Sequence, residues 1–238
     1  GAGLMIGPGL RASIDLSGMK EDLVKAVVAT GTPTVGVLIG GRPLSVRWIA
    51  ELVAVSGLQR VALAGHSMGS LIALETAARL GERVSRLFMV GTAYPMKVAP
   101  QLLELAQRDP LKAIDFVNNL SYSTLAGKPS HPGPGFWLHG GSRALMRRTQ
   151  RGWTGGNLFH FDFAACDAYA GAEAAAAALK CPATLILGGS DQMTMPKAAE
   201  PLIRLLAPKV VRLRSGHNLM AEVPDGVLDA MLADLRAG

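Results

Sequence analysis

The sequence is poor in cysteine and in charged residues, and it has no apolar run long enough to cross a membrane. Two cysteines in 238 residues are too few for a disulfide framework, and no Cys-x-x-Cys pair exists for metal or redox chemistry. Charged residues make up 18% of the chain and hydrophobic residues 49%, which excludes intrinsic disorder for most of it. Without a membrane span or a signal peptide, we expect a cytoplasmic protein that does not bind membranes.

The net charge of +6 raises the question of a nucleic-acid partner. Most basic residues are scattered, and the densest cluster consists of Arg143, Arg147, Arg148 and Arg151. Their spacing of three and four residues is typical of one solvated helix face. We therefore expect no binding to nucleic acid.

Short apolar runs alternate with stretches of helical periodicity over most of the chain. This alternation predicts an α/β fold with a mostly parallel sheet and flanking helices. Strands are predicted at 4–7, 34–40, 60–64, 86–91, 183–188 and 209–213. Helices are predicted at about 19–30, 44–56, 69–80, 172–179 and 224–236, with a further helix starting near Pro196.

The middle segment, residues 94–169, differs from the rest. It shows no strand alternation, yet it holds ten of the twelve aromatic residues. This concentration predicts a helical insertion that forms an apolar lid over a pocket. Alternatively, the segment is a small helical subdomain that needs large side chains for its own core, and the two interpretations can both hold.

Residues 65–69 read GHSMG, which matches the Gly-x-Ser-x-Gly nucleophile elbow. The pattern is weak alone, but here the predicted strand 60–64 leads into it and the predicted helix 69–80 leads out of it. In that context Ser67 is a candidate nucleophile. The backbone N–H of Met68 then points to where an oxyanion would form.

A serine nucleophile needs a base and an acid that orients the base. Of five histidines, His217 is the best candidate because it follows the last predicted strand, whereas the His66 side chain should point away from the serine. Asp191 follows the predicted strand 183–188, which gives the chain order Ser, Asp, His. The alternatives are His131, His139, His160, Asp162, Asp167, Asp225 and Asp229.

From about residue 57 to the end, the chain resembles a bacterial α/β-hydrolase of the esterase type. The resemblance is carried by GHSMG, by GGSDQMT after a strand, and by the SGHNLMAEVPD turn. It implies a truncated α/β-hydrolase-like fold and hydrolysis of small to medium apolar carboxylic esters through a serine acyl-enzyme, with no metal or organic cofactor. The alternatives are another reaction of the same triad (thioesterase, amidase or perhydrolase) and an inactive chimeric scaffold or binding protein.

Residues 11–51 instead resemble the C-terminal domain of family 3 glycoside hydrolases, through DLSG, ATGTPTV and GGRPLS. The chain is therefore predicted to be a chimera. Glycosidase activity is not expected, because that family's nucleophile lies in a separate barrel and residues 1–56 hold no carboxylate pair that could replace it. The predicted parts are a grafted βαβα segment (1–56), a hydrolase core (57–93 and 170–238) and the helical lid (94–169).

The graft has two predicted consequences. The carboxyl end of strand 34–40 would border the elbow, so that Gly41 or Arg42 could supply a second oxyanion N–H, although a plain strand-to-helix turn explains these residues equally well. Strands added in one direction place their crossover helices on one sheet face. Mainly the helix at 224–236 could then cover the other face, and we expect a homodimer or higher oligomer through the N-terminal segment.

Overall fold

The computed structural model describes residues 3–6 and 35–38 as backbone strands, and residues 53, 58–124 and 137–236 with their side chains. Within these residues, six strands form one sheet in the order of the sequence, and each neighbouring pair is parallel. The strands are β1 (Gly3–Ile6), β2 (Val35–Leu38), β3 (Val61–His66), β4 (Val84–Val90), β5 (Ala183–Gly188) and β6 (Lys209–Leu213). The predicted α/β class and all six predicted strands are confirmed, with ends that differ by up to two residues.

Nine α-helices are present in the described residues, none of them long and apolar enough to cross a bilayer. The predicted helix at 19–30 lies outside the described residues, and of the one at 44–56 only Val53 is described, in a helical conformation. The nine are α1 (Met68–Leu80), α2 (Pro100–Arg108), α3 (Pro110–Leu120), α4 (Leu138–Gly152), α5 (Leu158–Ala168), α6 (Ala172–Ala178), α7 (Glu200–Leu206), α8 (Leu219–Glu222) and α9 (Pro224–Leu235).

The main core lies between α1 and one face of the sheet. Alternate residues of β3, β4 and β5 point to this face because side chains in a strand change sides at every residue. Leu74 and Ala77 of α1 have no exposed surface, and Leu202 of α7 completes the layer. The strand side chains in this core are Val61, Leu63, Leu87, Met89, Leu185 and Leu187.

Helix α9 covers the opposite face of strands β3 to β6. Val227 and Ala230 of this helix pack in one cluster with Ile186. Met231 also contacts the cluster around Phe88. The sequence predicted this role for the last helix, and the position of α9 on the second face confirms it for the part of the sheet whose side chains are described.

The described part of the middle segment contains helices α2 to α5 and has a core of its own. Buried residues of α2 and α3 pack against Phe159 and Phe163 of α5, whose rings lie 4.8 Å apart. Other aromatic side chains of the segment, at Phe116, Trp137 and Phe161, are exposed. Some of the aromatic residues therefore serve the segment's own packing, whereas the lid and the predicted division of the chain remain predictions.

Candidate active site

Ser67 is the only residue between β3 and α1. Its backbone has φ 54° and ψ −125°, and a positive φ is rare for a residue with a side chain. Such a conformation costs on the order of 1–3 kcal/mol and persists only where the surroundings enforce it. One restraint is the hydrogen bond from the Ser67 N–H to the carbonyl oxygen of Val90, at 2.9 Å.

Close packing of two backbones explains the glycine before the serine. A Cβ atom on Gly65 would lie 2.0 Å from the carbonyl oxygen of Gly69, much closer than any carbon–oxygen contact allows. Glycine at this position therefore lets the end of β3 lie directly against the first turn of α1. The turn that holds Ser67 depends on this contact.

The start of α1 has a further polar anchor. The buried hydroxyl of Ser70 donates to the carbonyl oxygen of Ser67 at 2.6 Å and lies 2.7 Å from the Thr92 hydroxyl. Met68 is the first residue of α1, and the first N–H groups of a helix have no partner within the helix. The Met68 N–H is thus oriented by the helix start to meet negative charge.

Asp191 and His217 meet at the carboxyl edge of the sheet. They lie in the loops after β5 and β6, and parallel strands bring such loops to the same edge. The Nδ1 atom of His217 donates to Oδ2 of Asp191 at 2.9 Å, and both side chains are buried. This hydrogen bond fixes the imidazole tautomer and leaves Nε2 as the nitrogen that can accept a proton.

Asp191 is held as a charged acceptor by several donors. Its Oδ1 accepts hydrogen bonds from the N–H groups of Met193 and Thr194, each at 2.8 Å, and the Thr194 hydroxyl donates to Oδ2 at 2.8 Å. Burial raises the pKa of Asp191, but the hydrogen bond and charge of His217, together with the Thr194 bonds, outweigh it. The net pKa is therefore lowered, and the carboxyl stays ionised at neutral pH.

His66 has a role in the site that the sequence did not suggest. Its ring lies 4.6 Å from the ring of His217, and its Nε2 donates to the His217 carbonyl oxygen at 2.8 Å. Burial, and next the charge of His217, lower the pKa of His66 to about 3. The neutral His66 imidazole therefore supports the backbone of His217, whereas the sequence predicted only that its side chain points away from Ser67.

The other candidate residues lie in the middle segment, in helix α9 (Asp225 and Asp229) or in the undescribed part of the chain. Gly41, Arg42 and His131 lie outside the described residues. His139 binds Asn119 within the middle segment at 2.8 Å, and Asp167 accepts from the Val98 N–H at 3.0 Å. Thr194 was missed, and the only signal for it was its position three residues after Asp191.

No metal centre is formed by the residues that the structure describes. They contain no group of three or more His, Cys, Asp or Glu side chains arranged to hold an ion.

Comparison with known proteins identifies the family. The alpha/beta hydrolase family matches residues 12–230, including nearly all of the segment that resembles a glycoside hydrolase. The structure is similar to that of a thermophilic esterase, with a TM-score of 0.65, 21% identity, and coverage of 85% of this chain and 75% of the esterase. An esterase from Exiguobacterium antarcticum gives a TM-score of 0.66 at 17% identity, covering 80% of this chain and 72% of that one.

A short stretch of the sequence also matches a protein of a different class. A beta-xylosidase from Formosa agariphila is 54% identical over 43 residues, which is 18% of this chain and only 6% of the xylosidase. The match is compatible with a chain of mixed origin, but the family match spans nine tenths of the sequence. The chain therefore belongs to the alpha/beta hydrolase family.

Proposed function

We propose that the protein is a carboxylic ester hydrolase that works through a serine acyl-enzyme. The observation that carries the proposal is the buried Asp191–His217 hydrogen bond of 2.9 Å. It lies at the sheet edge where the strained turn presents Ser67. A nucleophile, a base and a group that orients the base are the three parts that acyl transfer requires.

In the proposed reaction, the Ser67 hydroxyl attacks the ester carbonyl carbon while Nε2 of His217 takes its proton. The oxyanion of the tetrahedral intermediate accepts a hydrogen bond from the Met68 N–H. His217 then gives the proton to the leaving alcohol, and the acyl group stays on Ser67. Water, activated by the same imidazole, hydrolyses the acyl-enzyme, and ionised Asp191 stabilises the imidazolium in both halves.

In this proposal His217, and not its neighbour His66, acts as the base. Because the pKa of His66 is lowered to about 3, its imidazole does not take up a proton near neutral pH. Its Nε2 is also engaged by the His217 carbonyl oxygen. Proton transfer is therefore assigned to His217 alone.

Apolar side chains beside the site support an apolar substrate. Met193, whose N–H donates to Asp191, packs against the core of the middle segment that contains Phe159 and Phe163. An acyl or alcohol group entering between Asp191 and this segment would meet apolar surface. We therefore propose small to medium apolar esters, with the middle segment acting as a lid.

Hydrolysis of p-nitrophenyl butyrate by the wild type and by Ser67→Ala tests the proposal. We expect turnover by the wild type and a loss of about 10³-fold or more in Ser67→Ala. Ser85→Ala is a matched control, because Ser85 lies at the other end of the sheet, where its hydroxyl donates to Val61. Equal inactivity of wild type and Ser67→Ala towards oxygen esters, thioesters and amides would refute the proposal and favour an inactive scaffold.

Two features of the N-terminal part also belong to this proposal. A backbone N–H of Gly41 or Arg42 would supply the second oxyanion donor, so Gly41→Pro should lower the kcat for ester hydrolysis.

The N-terminal part, of proposed glycoside-hydrolase origin, would mediate a homodimer or higher oligomer. A monomer by light scattering at micromolar concentration would refute the oligomer.

A further inference from the structure

The loop that carries His217 is attached to the middle segment on both sides of the histidine. We call residues 215–218 the histidine loop. Before His217, the N–H of Gly216 donates to Oε1 of Glu222 at 2.7 Å. After it, the N–H of Asn218 donates to the carbonyl oxygen of Ser121, just beyond the end of α3, at 2.9 Å.

Glu222 joins the histidine loop to the middle segment through one carboxylate. It is 5% exposed and lies at the end of α8, five residues after His217. Besides Gly216, its oxygens accept from the Ser123 N–H at 3.1 and 3.2 Å and from the Ser123 hydroxyl. A buried carboxylate with several donors is strongly oriented, so Glu222 fixes the distance between Gly216 and Ser123.

A second connection reaches the start of α4. The side-chain amide of Asn218 donates to the Tyr122 hydroxyl at 2.9 Å, and that hydroxyl donates to the carbonyl oxygen of Leu138 at 3.1 Å. The histidine loop therefore contacts the middle segment directly at Ser121–Ser123 and is linked through Tyr122 to the first residue of α4.

The backbones at this junction are also in direct contact. A Cβ on Gly216 would lie 2.5 Å from the Ser123 nitrogen and 2.7 Å from the Tyr122 carbonyl carbon. No side chain fits between them, so a movement of Ser123 is transmitted to the residue before His217.

We propose that Glu222 is a positioning residue that fixes His217 by binding the histidine loop to the middle segment. The inference rests on the proposed function, in which His217 exchanges protons with Ser67. Ser67 is held separately, by β3 and α1, so the alignment of the two depends on what holds the histidine loop. The position of the middle segment and the proton transfer are thereby coupled.

Two substitutions of Glu222 separate positioning from other effects. Glu222→Ala removes every acceptor, and a misplacement of about 1 Å costs on the order of 100-fold in rate. Glu222→Gln keeps one oxygen for the Gly216 and Ser123 N–H groups, while its NH₂ group can donate to the Ser123 hydroxyl, which rotates to accept.

The assay is steady-state hydrolysis of p-nitrophenyl acetate. For Glu222→Ala we expect kcat to fall about 100-fold, while KM changes less than about threefold because the acyl and oxyanion contacts remain. Glu222→Gln should restore kcat to within about tenfold of the wild type. Glu104→Ala, at an exposed glutamate that pairs with Arg108, is the control and should match the wild type.

Amide hydrogen exchange provides a readout that needs no turnover. Glu222→Ala should accelerate exchange at Gly216 and Ser123, and Glu222→Gln should restore the protection. If Glu222→Ala does not fold, Glu222→Asp, which withdraws the carboxylate by one methylene, takes its place with the same expected direction.

The outcomes distinguish the two proposals. A wild type without hydrolytic activity but with the expected exchange pattern would refute the proposed function and leave the coupling of loop and segment. A folded Glu222→Ala or Glu222→Asp with wild-type kcat, or with unchanged exchange at Gly216, would overturn the role of Glu222. A loss of kcat that Glu222→Gln does not restore would also overturn it.

Discussion

Replacing Gly65 by alanine tests whether contact between β3 and α1 builds the turn that holds Ser67. The added Cβ would lie 2.0 Å from the oxygen and 2.4 Å from the carbon of the Gly69 carbonyl, and 2.7 Å from the Ser70 nitrogen. Ordinary van der Waals contact begins near 3.4 Å. The strand and helix would therefore have to separate by about 1.4 Å at this point. All three obstructing atoms belong to the backbone, so no side-chain rotation can relieve the clash.

The expected cost follows from this geometry. Extra methyl groups in a packed core cost about 1–3 kcal/mol when neighbouring side chains can adjust. A clash with backbone should reach at least the upper end of this range, about 3 kcal/mol. For a chain of this length, such a loss lowers Tm by roughly 6–12 °C, and it is a large part of a typical stability of about 5–15 kcal/mol.

Urea unfolding and thermal unfolding of Gly65→Ala measure the effect. The matched control is Gly226→Ala in α9, where the three atoms nearest to the new Cβ belong to the Leu213 side chain, the closest at 3.3 Å. Because alanine also favours a helix, this control should stay within about 1 kcal/mol of the wild type. If the free energy of unfolding of Gly65→Ala lies within about 1 kcal/mol of the wild-type value and the variant keeps its ester turnover, the contact between β3 and α1 does not build the turn.

Three further predictions concern the histidine pair and the core. Asp191→Asn should lower kcat by about 10³–10⁴-fold with little effect on KM, because the amide no longer favours the Nδ1–H tautomer of His217; steady-state kinetics with a Tm control measures this. Leu74→Ala, at a side chain with no exposed surface, should reduce the free energy of unfolding by about 2–5 kcal/mol. Leu228→Ala, at a leucine that is 53% exposed, should change it by less than about 0.5 kcal/mol in urea. Because the folded-state pKa of His66 is about 3, below its ordinary 6.5, its contribution to stability is complete above pH 6.5 and is lost as the pH falls towards 3. The difference between the unfolding free energies at pH 7 and at pH 5 should therefore be smaller in His66→Gln than in the wild type. The reduction is up to about 1.4 kcal/mol per pH unit.

The sheet could be predicted from local sequence because a buried parallel strand must be a short apolar run. ATLILG coincides with β5, and the apolar part of RVALA forms the start of β3. The elbow was also predictable, since the close approach of Gly65 to the Gly69 backbone is a steric need that arises within five residues. Asp191 and His217 became candidates because both follow strands, and parallel strands bring their ends to one edge.

The sequence alone therefore determined the fold class, the strands and the main candidates of the site. Only the tertiary structure decided which polar groups meet across the fold. His66 and His217 are 151 positions apart, and Ser123 and Glu222 are 99 apart. No local pattern records these contacts, because they exist only after the sheet, α8 and the middle segment pack and enclose the polar groups, which must then find partners.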